Sequence, residues 1–274
     1  MTVPAVAATT PLTPAYARFA ELMPTLRVTE GEPRSDAGWT RADALADGGA
    51  ELDAFLADEA RLAAETYGRP ARPDVVATFG LHRYGWPAAA LFTVPYFLLR
   101  RVPRLAPEDV SFRRDPAWFT VRVTAFACLP DDPAAGDPGA LVVPDEEALR
   151  AEVRRAAADH LGPLLDAFGP RMRRRSRALW GAAADELVES MWYFGHLLGE
   201  EERAVRESAL LLPGGTAPFG SGAGFRELAG PGDTALRTRE RASCCMFYTL
   251  RPADTCVTCP RLCDAERVTR LTAS

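Results

Sequence analysis

Five of the six cysteines of this 274-residue chain fall between Arg241 and Asp264, as Cys244, Cys245, Cys256, Cys259 and Cys263; the sixth, Cys128, stands alone. Thiolates are soft ligands, and four of them complete a tetrahedral zinc site or a two-iron cluster. The spacing is C-C-x10-C-x2-C. Its C-x2-C half brings two sulfurs to one metal across a tight turn. The C-C half demands more. Adjacent Cα atoms are only about 3.8 Å apart, and neighbouring side chains of a regular element diverge, so both sulfurs reach one metal only from a bent backbone. Zinc knuckles space each ligand pair by about two to four residues. A vicinal disulfide lies below the usual Cα separation and is strained. A two-iron cluster accepts both sulfurs on one iron or a less regular arrangement. Spacing alone leaves iron–sulfur and zinc side by side, with a redox disulfide behind them. Cysteines packed as small hydrophobes are the remaining alternative, and the clustering argues against it.

The segment resembles the C-terminal signature of the FhuF-type ferric siderophore reductases. The resemblance rests on Arg241, Ser243-Cys244-Cys245, the aromatic Phe247 and Tyr248, and Cys256-x-x-Cys259-Pro260. It covers about 20 residues and implies that Cys244, Cys245, Cys256 and Cys259 hold a [2Fe–2S] cluster. One departure is the gap, where Arg251-Pro-Ala-Asp-Thr255 replaces a glycine-rich turn. Cys263, four residues past the last ligand, is read as a bystander. The activity implied is one-electron reduction of siderophore-bound Fe(III) to Fe(II), with no catalytic residue beyond the cluster. Such a reaction needs no nucleophile or acid–base dyad, and none is recognisable. No G-x-G-x-x-G unit in strand–turn–helix context offers a nucleotide site, so electrons are expected from a donor of ferredoxin or flavin-reductase type. Two other classes compete: an iron–sulfur electron carrier serving a partner enzyme, and a zinc-stabilised binding module.

Composition sets the frame for these readings. Apolar residues at 47% and charged residues at 25% are those of a globular protein, and the length suits one large domain or two modest ones. A net charge of −5 gives no ground for nucleic-acid binding. The chain has arginine and no lysine, so lysine Schiff-base chemistry is excluded. The first residues lack a secretory pattern. The longest apolar run, 88–99, is interrupted by Pro95 and is shorter than the ~20 residues of a membrane span. The expected compartment is the cytoplasm, where thiols stay reduced and available to metal.

The elements that must position the cysteines are mostly helical by period. Residues 1–14 read as a loose tail, 15–240 as the body and 241–274 as the cluster segment, with a possible sub-boundary in the Pro- and Gly-rich stretch 130–140. Helices are expected over 15–23, 51–67, 74–84, 86–101, 146–168, 176–199 and 201–211. Pro87 and Pro95 must kink or break the apolar run 74–101, which is therefore read as the pair 74–84 and 86–101. Alternation over 110–129 predicts the strand material of a small antiparallel sheet, with Cys128 buried at its end. The fold class is therefore α+β: a mainly helical body, a small sheet and an irregular C-terminal segment. His82, alone at a helical position, reads as structural or exposed. Five arginines between Arg171 and Arg177 read first as a solvated helix start. Arg174 and Arg175, with Trp192 and His196 on the next helix, are the candidate substrate-binding residues for an anionic chelate. The glycine-rich 214–232 reads as a flexible approach or lid to the cluster.

Overall fold

The structure, a computed structural model, describes residues 9–273. It is α+β. In chain order the elements are α1 (Thr13–Leu22), β1 (Leu26–Glu30), β2 (Trp39–Arg41), α2 (Ala42–Ala46), α3 (Ala50–Tyr67), α4 (Pro73–Leu99), β3 (Val102–Arg104), β4 (Val110–Arg113), β5 (Ala117–Val121), β6 (Ala125–Cys128), β7 (Ala140–Val142), α5 (Glu146–Met172), α6 (Ser176–Leu197), α7 (Glu201–Leu211), β8 (Phe225–Ala229), β9 (Ala235–Arg239) and α8 (Asp264–Thr272). Residues 1–8 of the expected tail lie outside the described residues. Of the rest, Leu12 is fully buried and the Thr10 and Thr13 hydroxyls bind Glu30, so the chain is fastened before α1 begins.

The body is organised around α4. Residues 88–97 of this helix are buried on every side, as befits a helix apolar all round. It runs unbroken through Pro87 and Pro95, where two helices were expected. A proline inside a helix strips the carbonyl four residues back of its partner. For Pro95 that carbonyl is Leu91 O, and the Tyr16 hydroxyl of α1 donates to it at 3.2 Å. Packing by α3, α5 and α6 encloses the rest. Likewise α5 continues through Gly169-Pro170 to Met172, four residues past its expected end, and closes on Arg173 in the left-handed region. Thr93 and Ser190 join α4 to α6 by a buried hydroxyl pair at 2.8 Å.

The expected strand material 110–129 turns back at Asp115-Pro116 as an antiparallel hairpin of β4 and β5, and its last part, β6, joins a second sheet. β4 and β5 lie in a four-stranded sheet of order β1-β5-β4-β2, whose β1–β5 pair is parallel. β6 belongs to a three-stranded sheet of order β3-β6-β7. Arg122 lies between β5 and β6, and its backbone N–H and guanidinium both bind Asp109, ending the first sheet there. β8 and β9 form an antiparallel hairpin, so the glycine-rich approach contains an ordered strand, β8. One apolar cluster draws residues from both sides of the 130–139 loop. Among the described residues no helix is long and apolar enough to cross a membrane.

His160, on α5, is fully buried, its ring stacked on Tyr84 and packed against Phe92. Its Nδ1 faces Leu105 O at 3.1 Å and its Nε2 faces the Tyr84 hydroxyl at 2.7 Å. The carbonyl fixes the proton on Nδ1, and Nε2 accepts from Tyr84. Burial lowers the pKa of this ring to about 4, against an ordinary 6.5. The unfolded chain therefore binds the extra proton first on acidification. The contribution is complete above pH ~6.5 and is lost as pH falls to about 4, amounting to about 3 kcal/mol. In a ¹H NMR titration one of the three histidine rings should keep neutral shifts down to about pH 5. A set of three rings all titrating near 6.5 would contradict the buried pair.

Candidate metal centre

The cysteine segment is locked to α6 immediately before its first two thiols. Asp185 of α6 is fully buried. Its Oδ1 accepts from Arg239 Nη2 at 2.5 Å and from the Ala242 N–H at 3.0 Å, and its Oδ2 from the Ser243 N–H at 2.8 Å. Arg239, also buried, reaches Glu189 at 2.7 Å. Arg241 lies 3.6 Å from Asp185 and 3.7 Å from Glu189. Burial lifts the Asp185 carboxyl above its ordinary pKa, opposed by Arg239, Arg241 and the two N–H donors. Gly181, one turn earlier on α6, leaves room for this approach: a Cβ there would meet Ala242 at 3.3 Å.

The bend that adjacent cysteine ligands require follows at once. Met246 is in the left-handed region, with φ 63° and ψ 5°, uncommon for a side-chain-bearing residue. Its N–H faces the Cys244 Sγ at 3.4 Å. Beyond it, Phe247 packs edge-on against Tyr67 and tilted against Phe79. Arg69, just past α3, donates to the Thr249 and Leu250 carbonyls at 2.6 Å each. The C-x2-C half closes as a tight turn, with the Cys259 N–H on Cys256 O at 3.0 Å. Arg267 of α8 is buried and donates to the carbonyls of Cys259 at 3.1 Å and Arg239 at 3.2 Å. One guanidinium thus ties the second thiol pair to the strand leading into the first.

The structure brings the Cys245 and Cys256 thiols together, close enough for each to shift the other's titration. The two thiols titrate as a pair, the contact raising the pKa of Cys245 and lowering that of Cys256, so one becomes a thiolate, the form that binds metal, ahead of the other. Cys259 is buried beneath the turn, and Cys244 lines a small crevice beside Glu186. Among the described residues no three His, Cys, Asp or Glu side chains form a ready cage. Cys263 is exposed and starts α8, its N–H on Glu266 at 2.9 Å. Cys128 is fully buried in β6. The donor set fits an iron–sulfur cluster: unpaired thiols on one short segment, a backbone N–H directed at one sulfur, and the Thr258 hydroxyl near Cys256 Sγ at 3.7 Å.

Cys245 and Cys256 open onto a cavity of about 640 Å³ between the cysteine loop, α4 and the β4–β5 turn. Tyr67, Phe79, Trp86, Phe112, Phe119 and Phe247 supply aromatic wall, and His82, Arg83, Arg113, Arg114 and Arg241 supply cations. His82 sits 2.8 Å from Glu186, whose charge raises the imidazole pKa. The candidate substrate residues lie elsewhere. Arg174 faces the Cys244 carbonyl at 3.3 Å, and Arg175 precedes α6, exposed. Trp192 donates to Glu201 at 2.8 Å, and the exposed His196 lies 3.3 Å from the same carboxylate. None of the four lines the cavity. Sequence reasoning missed Asp185, Arg239, Arg267 and the β4–β5 cations. The available signal was Asp185, Glu186 and Glu189 crowded onto an otherwise apolar helix, since buried carboxylates require partners.

Residues 241–261 match the FhuF 2Fe-2S C-terminal domain. No curated protein matches the chain. The cofactor of this segment is thus a [2Fe–2S] cluster, and of the metals left open by the spacing it is iron rather than zinc.

Proposed function

We propose that this chain, whose C-terminal segment is of the FhuF [2Fe–2S] type, is a cytoplasmic ferric siderophore reductase. In this reading it passes one electron to chelated Fe(III) and releases Fe(II). The observation that carries the reading is the opening of Cys245 and Cys256 onto the aromatic, cation-lined cavity. Siderophores are hard oxygen chelators that favour Fe(III), and Fe(II) is held far more weakly, so a single electron makes the complex labile.

Cys244, Cys245, Cys256 and Cys259 would hold the cluster. When bound, a [2Fe–2S] centre with four thiolates supplies one electron at a time, at a potential near about −400 mV in comparable proteins. The chain's own residues do the rest. Asp185 and Arg267 fix the backbone on both sides of the cysteine loop. Phe247, against Tyr67 and Phe79, holds the cysteine loop to the aromatic wall. The exposed Cys256 leaves a face open to an electron donor of ferredoxin or flavin-reductase type. Six unpaired thiols suit a reducing compartment. Substrate sits in the cavity, and Arg174 acts through the Cys244 carbonyl.

The test is stopped-flow oxidation of the photoreduced protein by ferric hydroxamates, catecholates and citrate-type chelates, with a ferrous chelator present. At least one chelate class should reoxidise the protein at least tenfold faster than ferric citrate, with Fe(II) formed in equal amount. Reoxidation no faster than by ferric citrate for every chelate would leave an electron carrier.

A further inference from the structure

The large cavity takes up Cys245 and Cys256 and leaves two features without a role, Cys244 and the arginine run 171–177, since neither lines it. The two meet: Arg174 Nη2 donates to the Cys244 carbonyl at 3.3 Å. Cys244 lines instead a crevice of about 20 Å³, room for a water and for no chelate. Most arginines of the chain are ion-paired. Among the described residues Arg69, Arg173, Arg174, Arg175, Arg177 and Arg261 are not, and they gather around the cysteine loop. Arg69, in the α3–α4 turn, donates to the Thr249 and Leu250 carbonyls at 2.6 Å each. Arg261 lies 4.0 Å from the centre of the Tyr248 ring. Arg173, Arg175 and Arg177 flank Arg174 and are exposed. The nearby acids Asp53, Asp74 and Asp254 are each taken by another arginine, at 2.9, 2.9 and 3.3 Å. α6 opens without an acid in its first turn, so Arg175 and Arg177 stand against the positive end of its dipole. That placement disfavours the helix and favours an incoming anion. The chain as a whole carries −5, so the excess of cations here comes from position and not from composition.

We propose that this arginine rim, formed by the α3–α4 turn, the α5–α6 turn and the cysteine loop, is the docking surface of an acidic one-electron carrier protein. The electron then enters beside Cys244, and the chelate is served from the cavity. An acidic protein face brings several carboxylates at once to guanidinium groups that have none. Redox partners meet through small, short-lived contacts, in which charge steering does more than apolar area. Anionic lipid offers charge too, but the contact of Arg174 with the backbone of a cluster cysteine favours a redox partner. The exposed Cys256 falls in the chain between the residues that Arg69 holds and Arg261, so the same donor meets it. One electron leaves the donor, which is oxidised, for the centre held by the four thiols, which is reduced; no bond forms or breaks. Donor and chelate therefore do not compete for one opening. The surface rests on the reductase reading for its purpose, though its binding is measurable without any chelate.

The experiment measures binding with both proteins oxidised, so that no electron moves. The cluster-loaded protein is titrated calorimetrically with an acidic [2Fe–2S] ferredoxin, and affinity should fall about tenfold between about 20 and about 200 mM ionic strength. At the lower ionic strength Arg177→Glu should weaken binding about fivefold, and Arg173→Glu/Arg177→Glu about tenfold or more. Arg206→Glu makes the same charge change at an exposed, unpaired arginine of α7 and should leave binding unchanged. Reoxidation of the photoreduced double variant by a ferric chelate, which bypasses the donor, should keep the parent rate. Ferredoxin binding that ignores salt, or that Arg206→Glu weakens as much as Arg177→Glu does, overturns the surface. Vesicles of phosphatidylglycerol that bind through these arginines, where ferredoxin does not bind, make the rim a membrane contact and overturn the proposal. Slower chelate reoxidation in the double variant puts the rim on the substrate side and overturns it as well. Ferredoxin binding weakened by the double substitution, in a protein that no ferric chelate reoxidises, upholds the surface and removes the reductase.

Discussion

Asp185→Ala should cost about 3–5 kcal/mol of stability, because it leaves the buried Arg239 guanidinium without its closest carboxylate. The loss goes beyond the ion pair. The same carboxylate accepts the Ala242 and Ser243 N–H groups, so its removal also frees the backbone that presents Cys244 and Cys245. Urea denaturation gives the first quantity. Iron and acid-labile sulfide in protein purified without air give the second, and both should fall well below one cluster per chain. Asp185→Asn keeps the volume and one acceptor oxygen, and should lie between the two. An Asp185→Ala protein of undiminished stability and full cluster content would show that α6 does not anchor the segment.

Removal of single sulfurs should divide the cysteines into two groups. Cys244→Ser, Cys245→Ser, Cys256→Ser and Cys259→Ser are each expected to lose most of the iron, sulfide and visible absorbance. Cys128→Ser and Cys263→Ser should retain them. The division follows from position. Four sulfurs lie on the anchored loop, Cys128 is fully enclosed in β6, and Cys263 contributes its backbone to the start of α8. EPR of the reduced proteins adds an independent readout. A full signal from Cys256→Ser, or a signal lost in Cys263→Ser, would redraw the ligand set.

The cysteine cluster was legible because its members are neighbours along the chain, and spacing is a property of the chain itself. The helical body was legible too, since its apolar periods are long. The break placed before Pro87 was misplaced because a proline's cost is local while its remedy is not: neighbouring helices enclose α4, and at Pro95 Tyr16, from α1, satisfies the freed carbonyl. The strand 110–129 alternates through Arg122, and only its bonds to Asp109 divide it between two sheets. The cavity had no signature at all. Its walls come from α3, α4, the β4–β5 turn and the cysteine loop, which meet only in three dimensions. The arginines between 171 and 177 and the Trp192–His196 face were visible as composition. Composition does not say which way a helix turns, and Glu201 takes both Trp192 and His196.

The arginines that fasten the cysteine loop grip main-chain oxygens. Arg69 holds residues 249 and 250, Arg267 holds Cys259, and Arg270 holds Ala253 and Thr255. A carbonyl is the same on every residue, so these clamps do not read the side chains they secure. The shape of the loop is thereby separated from its spelling. Substitutions at Ala253 or Thr255 can accumulate without moving a sulfur, whereas each clamping arginine is tied to its place. That separation leaves room for Arg251-Pro-Ala-Asp-Thr255 in place of a glycine-rich turn. The loop keeps its course through arginines distant in sequence, and its own residues are left free to drift.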